Sequence, residues 1–314
     1  MRQARIDRFG GPEELYLTTE AEIPEPGPGE VQVKVRAAGT NPLDYKIRDG
    51  SSGLAKKLTE ADFPLVLGRE CSGTVTAVGD GVEGFGVGDQ VFGMPPLSHP
   101  GRCYAEYVTL PADAMVHVPE GADPVVLGGT ALVALTAWIA THELGKVQPG
   151  ETVLVHGGTG GVGQLVVQLA KQAGAEVWAT ASTRNQDRLA ELGAHPIDYT
   201  KQDFREVAPK ADLIVDGVYF DTYLPSLDHL TDKGRIVSLP TLTDKTPAEE
   251  RGIPVFVPMA RPLPAELAQM AADIAAGKLS VEVSEVLPLE RVAEAHEQLQ
   301  SGHTRGKIVL DLEA

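Results

Sequence analysis

Residues 152–174, TVLVHGGTGGVGQLVVQLAKQAG, decide how this chain is read. A β-branched run at 153–155 enters a glycine cluster and leaves it on a helix-period pattern. The cluster fits G-x-G-x-x-G with Gly158, Gly160 and Gly163 in the three places, and its flanks are the strand and helix that a dinucleotide fingerprint requires. Glycine has no Cβ, so the backbone can turn tightly and approach a pyrophosphate. The phosphate charge then meets unpaired N–H groups and the positive end of the helix dipole. The loop Gly158, Thr159, Gly160, Gly161, Val162 and Gly163 is therefore expected to hold a dinucleotide. The triplet alone is equally a structural glycine turn. A second extended run, AEVWATA at 175–181, completes the start of a βαβ unit and favours the cofactor reading.

The end of that second run bears on which nicotinamide cofactor is used. An acid about 20 residues beyond the first glycine ordinarily hydrogen-bonds the ribose 2′-OH. Between residues 177 and 186 the charged residue is Arg184, beside Ser182, Thr183 and Asn185. A guanidinium with hydroxyls suits a 2′-phosphate, which a carboxylate would repel. The expectation is NADPH, held by Ser182 and Arg184. The competing reading makes Ser182 or Thr183 the cap of a helix NQDRLAELG and Arg184 a solvated first-turn residue.

With 314 residues, 42% of them hydrophobic, the chain can bury large cores and is expected to form two domains. Its 44 acidic against 27 basic residues give a formal charge of −17, which repels phosphate backbones and anionic lipid. Nucleic acid and membrane surfaces are thus not expected partners. Cys71 and Cys103 cannot make a disulfide framework, and the N-terminal MRQARIDRFGG lacks the apolar core of a signal peptide. The apolar stretch LGGTALVALTAWIATHEL is interrupted by glycines and threonines. A cytoplasmic enzyme is the expectation.

The pattern changes character near residue 120. Before it come short alternating runs, VQVKVRAAG (31–39), CSGTVTAVG (71–79), DQVFG (89–93) and AEYVTL (105–110), a β-rich, barrel-like pattern. Between 121 and 279 strand and helix patterns alternate, through ADLIVDGV, a helix around TYLPSLDHL, and GRIVSLP, as in a parallel doubly wound α/β sheet. Residues 241–253 carry too few hydrophobics to assign. From 280 the chain returns to extended runs, VEVSEVLPL and GKIVLDL, around a helix RVAEAHEQLQSG. The tail 280–314 is expected to complete the first unit, 1–120, around an inserted unit 121–279.

These residues carry a resemblance. GPGEVQVKVRAAGTNPLDYKIRDG (27–50), PLVLGRECSGTVTAVG (64–79), LTAW before the glycine loop, the loop itself, LPLERVAEAHEQL (287–299) and GKIVL (306–310) occur in order across nearly the whole chain. Together they resemble the zinc-free medium-chain dehydrogenase/reductase superfamily, in its quinone oxidoreductase (zeta-crystallin-like) branch. The resemblance implies a GroES-like catalytic domain with a Rossmann NADPH-binding domain inserted in it, an active site in the cleft between them, and a homodimer. It implies reduction of a quinone or an α,β-unsaturated aldehyde or ketone by hydride transfer. Relatives of this family that serve as nucleotide-binding structural or regulatory proteins, without physiological turnover, are the second class of function.

Zinc enzymes of this superfamily supply a Cys, a His-Glu pair and a further Cys or acidic ligand. Here Asn41 stands in the cysteine place of GTNPLD, and Gly68-Arg69-Glu70 replaces GHE; a guanidinium stays protonated and cannot be a ligand. No metal is expected, and a replacement site from His99, Cys103 and His117 lacks a fourth ligand. Without zinc, reduction needs hydride placement and hydrogen bonding to the accepting group. The turn Asn41-Pro42-Leu43-Asp44-Tyr45-Lys46 is the polar supply, its family counterpart lining the cleft near the nicotinamide. Asn41 and Lys46 would polarise a carbonyl, Tyr45 would donate a proton and Asp44 would orient its neighbours. The same residues also read as an ordinary Asn-Pro turn with Asp44 as a cap. Thr136 is a further catalytic candidate by family counterpart, or simply a helix hydroxyl. Residues just past the strands, Val218, Leu239 and Pro240, are expected cofactor contacts. Tyr199 resembles a family tyrosine near the adenylate. Lys307 lies either near the cofactor cleft or on a surface strand, Asp216 fixes a strand-end turn, and Glu70 resembles an organising acid.

Overall fold

In the computed structural model, residues 1–240, 242 and 244–314 are described. Thr241 and Thr243, in the segment without a sequence signal, lie outside the described residues; later in that segment a short helix forms over Thr246–Glu249. The chain divides into two compact units, Met1–Leu132 with Arg261–Ala314, and Val133–Ala260.

The first unit is built on strands β1 (Gln3–Ile6), β2 (Tyr16–Thr18), β3 (Glu30–Gly39), β4 (Leu65–Val66), β5 (Cys71–Val78), β6 (Gln90–Gly93), β7 (Tyr107–Pro111) and β8 (Met115–His117). β3 is the pivot. Val31, Val33 and Val35 alternate into the core while Lys34 faces solvent, the two-residue period of a strand with one wet face. β3 is long enough for two strands to share one edge: β7 pairs with residues 30–34, leaving 37–39 for another strand. β5 occupies the opposite edge.

The second unit is one parallel sheet of β9 (Thr152–His156), β10 (Glu176–Ala181), β11 (His195–Asp198), β12 (Ala211–Asp216), β13 (Leu230–Ser238) and β14 (Val255–Phe256). Among the described residues its order is β11-β10-β9-β12-β13-β14, so the winding reverses between β9 and β12. Val153, Leu154 and Val155 of β9 are fully buried, as expected of a central parallel strand covered on both faces. The following helix, Gly163–Gln172, buries Leu165, Val166, Val167 and Leu169.

The chain then returns to the first unit with β15 (Val283–Pro288), the helix Val292–Gln300 and β16 (Lys307–Asp311). β16 takes the free half of the β3 edge, pairing Val309 with Gly39, and β15 runs parallel beside it. The unit borders fall at 132/133 and 260/261, where sequence patterning places them near 120 and 280. The difference has a packing cause. The helix Pro124–Gly128 lies on β3 and β5, with Pro124 O accepting from Ser72 Oγ at 2.5 Å, and the helix Pro264–Ala275 packs on β8.

Leu154, at the centre of the second sheet, has no route to solvent. Leu154→Ala should cost about 2–5 kcal/mol, read as a lower urea midpoint for unfolding of this unit. An unchanged midpoint would contradict the packing described.

Candidate functional site

The glycine loop leaves β9 at its carboxyl end. Gly157 turns the chain at φ +75°, a left-handed conformation that side chains rarely adopt. At Gly158 a Cβ would lie 2.7 Å from Ala179 Cβ and 2.8 Å from Leu189, and at Gly163 it would overlap the Gly157 carbonyl. The loop therefore packs tightly on the sheet, with Thr159 buried beneath and Gly160, Gly161 and Val162 half-buried. It lies where the strand order reverses, the crevice in which doubly wound sheets bind dinucleotides. Backbone packed this closely at a helix start fits a pyrophosphate.

Past β10, Ser182 accepts from Asn185 Nδ2 at 3.2 Å but makes no side-chain cap, and the Thr183 hydroxyl donates to Asp198 Oδ2 at 2.6 Å. The capping reading of these two residues is thus not realised: their side chains are turned to other partners. Arg184 is exposed on the adjoining helical turn. The neighbouring acid, Asp198, belongs to β11. Hydrogen bonds from Thr183 and then Thr200 hold its carboxyl down to about 2. Tyr199 follows it, 54% exposed, its N–H reaching Ala181 O at 3.3 Å beside the end of β10. On the other side of the reversal, Asp216 accepts from Val218 N at 2.9 Å, Tyr219 N at 3.0 Å and Thr222 Oγ1 at 2.8 Å. Asp216 thereby fixes the turn that presents Val218, and its carbonyl accepts from Leu239 N. Pro240 O accepts from Ser238 Oγ.

In the first unit the Asn41 turn opens the helix Pro42–Arg48, and Asp44 Oδ2 closes it by accepting from Asn41 N at 2.8 Å. The Asn41 side chain points elsewhere. Its Nδ2 donates to Glu70 Oε1 at 2.8 Å, and its Oδ1 accepts from Lys307 Nζ at 2.6 Å. Lys307 also donates to Thr40 O at 2.8 Å and Glu70 Oε1 at 3.1 Å, while Glu70 Oε2 accepts from Leu132 N at 2.7 Å. Asn41, Glu70 and Lys307 are 1%, 0% and 3% exposed. A Cβ at residue 39 would overlap the Glu70 carboxylate, so only glycine lets the acid reach this place.

This geometry bears on two expectations. An ammonium has three donors, and all three of Lys307's find partners within the first unit, so Lys307 is a buried network member and not a surface strand residue. Asn41 and Asp44 are members of a buried network rather than an open polar wall. Tyr45 and Lys46, half-buried on the helix, remain the accessible part of that turn, and burial raises the Tyr45 phenol. Thr136, on the helix Ala131–Trp138, falls in the second unit and is half-buried.

A second buried chain has no counterpart in the sequence motifs. Tyr104 OH donates to Asp44 Oδ2 at 3.0 Å and stands 3.4 Å from His296 Nε2, whose Nδ1 is 3.2 Å from Arg48 Nη1. Arginine only donates, so His296 Nδ1 accepts, its proton sits on Nε2 facing Tyr104, and the tyrosine proton faces Asp44. Burial, then the Arg48 charge, pushes His296 down to about 3. Burial raises Asp44 to about 6, opposed by the Asn41 N–H and the Tyr104 hydroxyl.

The residues in the zinc-ligand places do not fit a metal. Arg69 is buried, donating to His99 O at 2.5 Å and Pro96 O at 2.8 Å, and Asn41 is held by Lys307 and Glu70. His99 accepts from Gly101 N, Cys103 lies against Cys71, and His117 stacks on Phe85. Among the described residues no group of three or more His, Cys, Asp or Glu side chains is arranged for a metal ion.

Two family descriptions match the chain: Alcohol dehydrogenase GroES-like domain over residues 27–120, and Zinc-binding dehydrogenase over 192–310. A 2-haloacrylate reductase of a Burkholderia species is 32% identical over 333 residues, covering 98% of each chain. A quinone oxidoreductase from Coxiella burnetii superposes with a TM-score of 0.93 at 36% identity, covering 99% of both chains. Escherichia coli quinone oxidoreductase complexed with NADPH superposes at 0.84 with 26% identity, covering 99% of this chain and all of the other.

The buried titratable groups contribute to the acid response with both signs. His156, at the end of β9, is pushed by burial down to about 4 and His296 to about 3. Both lie below their unfolded value of 6.5, so their stabilisation is complete above pH 6.5 and is lost as pH falls. Asp44 has the opposite sign: raised to about 6 from 3.8, it takes up a proton in the folded state and adds stability as pH falls from 6 to 4. Asp44→Asn removes that offset. Its loss of stability between pH 6 and 4 should be steeper than that of the unmodified chain by up to about 1.4 kcal/mol per pH unit. Denaturant titrations giving parallel slopes for the two proteins would contradict this.

Proposed function

Because the chain belongs to the medium-chain dehydrogenase/reductase superfamily, in its quinone oxidoreductase branch, we propose that this oxidoreductase uses NADPH to reduce quinones or α,β-unsaturated carbonyl compounds without zinc. The observation that carries the proposal is the pairing of a dinucleotide loop at the strand-order reversal with hydrogen-bonded, non-ligand side chains in the zinc places.

When bound, a reduced nicotinamide supplies the hydride. The chain's own residues do the rest. Gly158, Thr159, Gly160, Gly161, Val162 and Gly163 bind the pyrophosphate through backbone packed too closely for side chains at Gly158 and Gly163. Ser182 and Arg184 hold the 2′-phosphate; the carboxylate nearby, Asp198, is occupied by Thr183 and Thr200. Tyr199, Val218, Leu239 and Pro240 border the dinucleotide past the strand ends. Lys307, through Glu70, and Asp44 keep the Asn41 turn in one conformation. Tyr45, protonated well past neutral pH, and Lys46 offer hydrogens to the oxygen or carbon that accepts charge, and Thr136 is a further catalytic candidate by its family counterpart. The partner is a small molecule, and the formal charge of −17 disfavours nucleic acid and anionic membrane surfaces. No helix among the described residues is long and apolar enough to cross a membrane. A cytoplasmic location, expected from the sequence, and a homodimer, implied by the family resemblance, complete the proposal.

The test is NADPH oxidation, followed by loss of its near-ultraviolet absorbance, against a panel of quinones and enals. Turnover that survives metal chelation is expected; tight NADPH binding with no turnover on any acceptor would favour a cofactor-binding protein instead. NADPH should bind about tenfold to a hundredfold more tightly than NADH, and Arg184→Ala should erase most of the difference. Equal affinities in the unmodified chain would refute the 2′-phosphate assignment. Tyr45→Phe and Lys46→Ala should lower kcat with an enal by about 10²–10⁴-fold where protonation limits the rate, and much less with a quinone that accepts hydride unaided. Full activity of both variants on both acceptors would remove the turn from the mechanism.

A further inference from the structure

His156 is an unusual end for β9. The three residues before it, Val153, Leu154 and Val155, are apolar and fully buried, yet His156 is 1% exposed and polar. Burying an imidazole is unfavourable unless both nitrogens find partners, and here both do. Nδ1 is 3.2 Å from Thr180 Oγ1 on β10, and Nε2 is 3.1 Å from Ser226 Oγ on the helix that follows β12. The Thr180 hydroxyl also accepts from Gly157 N at 3.3 Å, and the Thr180 carbonyl accepts from Gly158 N at 3.0 Å. The His156 carbonyl accepts from Gly217 N, just past β12.

The contacts form one line through the Thr180 hydroxyl. Gly157 N–H donates to Thr180 Oγ1, and with the Thr180 hydroxyl donating to His156 Nδ1, His156 Nε2–H donates to Ser226 Oγ. The line begins at the glycine whose left-handed φ starts the loop and ends on the far side of the strand-order reversal. We infer that His156 is a positioning residue for the dinucleotide: through the Thr180 hydroxyl it fixes the Gly157 peptide, and with it the pyrophosphate cradle, against both halves of the parallel sheet. This deepens the proposed function and rests on the glycine loop being a dinucleotide site. His156 and Thr180 are buried, and they act through Gly157.

The experiment uses the full chain and NADPH as the probe, measuring Kd by quenching of tryptophan fluorescence, and KM and kcat with an electron-poor quinone. Thr180→Val is nearly isosteric and deletes the shared hydroxyl, while Thr180→Ser keeps it. Loss of one hydrogen bond from the cradle should raise Kd and KM for NADPH about three- to tenfold in Thr180→Val. At saturating NADPH, kcat should stay within about twofold. Thr180→Ser should bind as the unmodified chain does. His156→Phe should act in the same direction, and the double variant with Thr180→Val should be no worse than the weaker single one, since both cut one line. A merely structural role would lower the active fraction, and so kcat, without moving KM. If Thr180→Val does not fold, Ser226→Ala, at the far end of the line, should still raise KM for NADPH. Unchanged NADPH affinity in folded Thr180→Val, or in Ser226→Ala if Thr180→Val does not fold, overturns the inference while leaving the loop a cofactor site. Absence of NADPH binding by the unmodified chain takes down the cofactor site and the inference together.

Discussion

A carboxylate buried at residue 70 is the constraint on which the first unit depends. Removing such a charge from water costs several kcal/mol unless an opposite charge and hydrogen bonds replace the solvent. Glu70 obtains its cation from Lys307, 237 residues along the chain. That pairing requires the end of the chain to return to the sheet begun by its first third, and β16 does so on the half of the β3 edge that β7 leaves open. The same carboxylate fixes the Asn41 side chain and the peptide N–H of Leu132. One buried charge thus holds the turn after β3, the last strand and the start of a helix in register. Removing either partner would leave the other unpaired, so the network acts as a unit.

The second unit is organised by the opposite means, absence of side chain rather than presence of charge. Gly158 and Gly163 let the loop and helix settle against β9 and β10 at distances no Cβ would allow. Beneath it, polar contacts are few and specific: His156, Thr180 and Ser226 on one side, Asp216 and Thr222 on the other. Both sets lie at the carboxyl ends of β9, β10 and β12, where a parallel sheet offers its binding crevice. Rigid apolar strands deliver these groups to one edge, and the polar pairs then set their final positions.

His296 and His156 show how the same buried side chain is held neutral for different purposes. His296 has arginine on one nitrogen and tyrosine on the other, which fixes the direction of every proton as far as Asp44. The line ends at a guanidinium, which cannot release a proton, so it orients rather than conducts. His156 has a hydroxyl on each nitrogen and joins secondary elements instead. Neither could be placed from the sequence, because a histidine in an apolar strand or on an amphipathic helix face looks the same whether its partners are water or buried groups.

Local rules were enough for much of this protein. Strand period, glycine spacing and the following helix pattern identified the parallel sheet and the loop, because those properties depend on neighbours within about 30 residues. Ordered blocks across the chain identified the superfamily, and the identities at 41 and 69 already argued against a metal, since ligand chemistry belongs to residue type. What the sequence could not decide was partnership at long range. Lys307 reads as a cleft or surface strand residue, Asn41 as a carbonyl polariser or a turn residue, and Glu70 as an organising acid without a partner. Tyr104, Arg48 and His296 share no motif at all. Only when the last strand closes on β3 do these groups meet in a dry interior, where an unpaired donor or charge is costly enough to dictate a single arrangement.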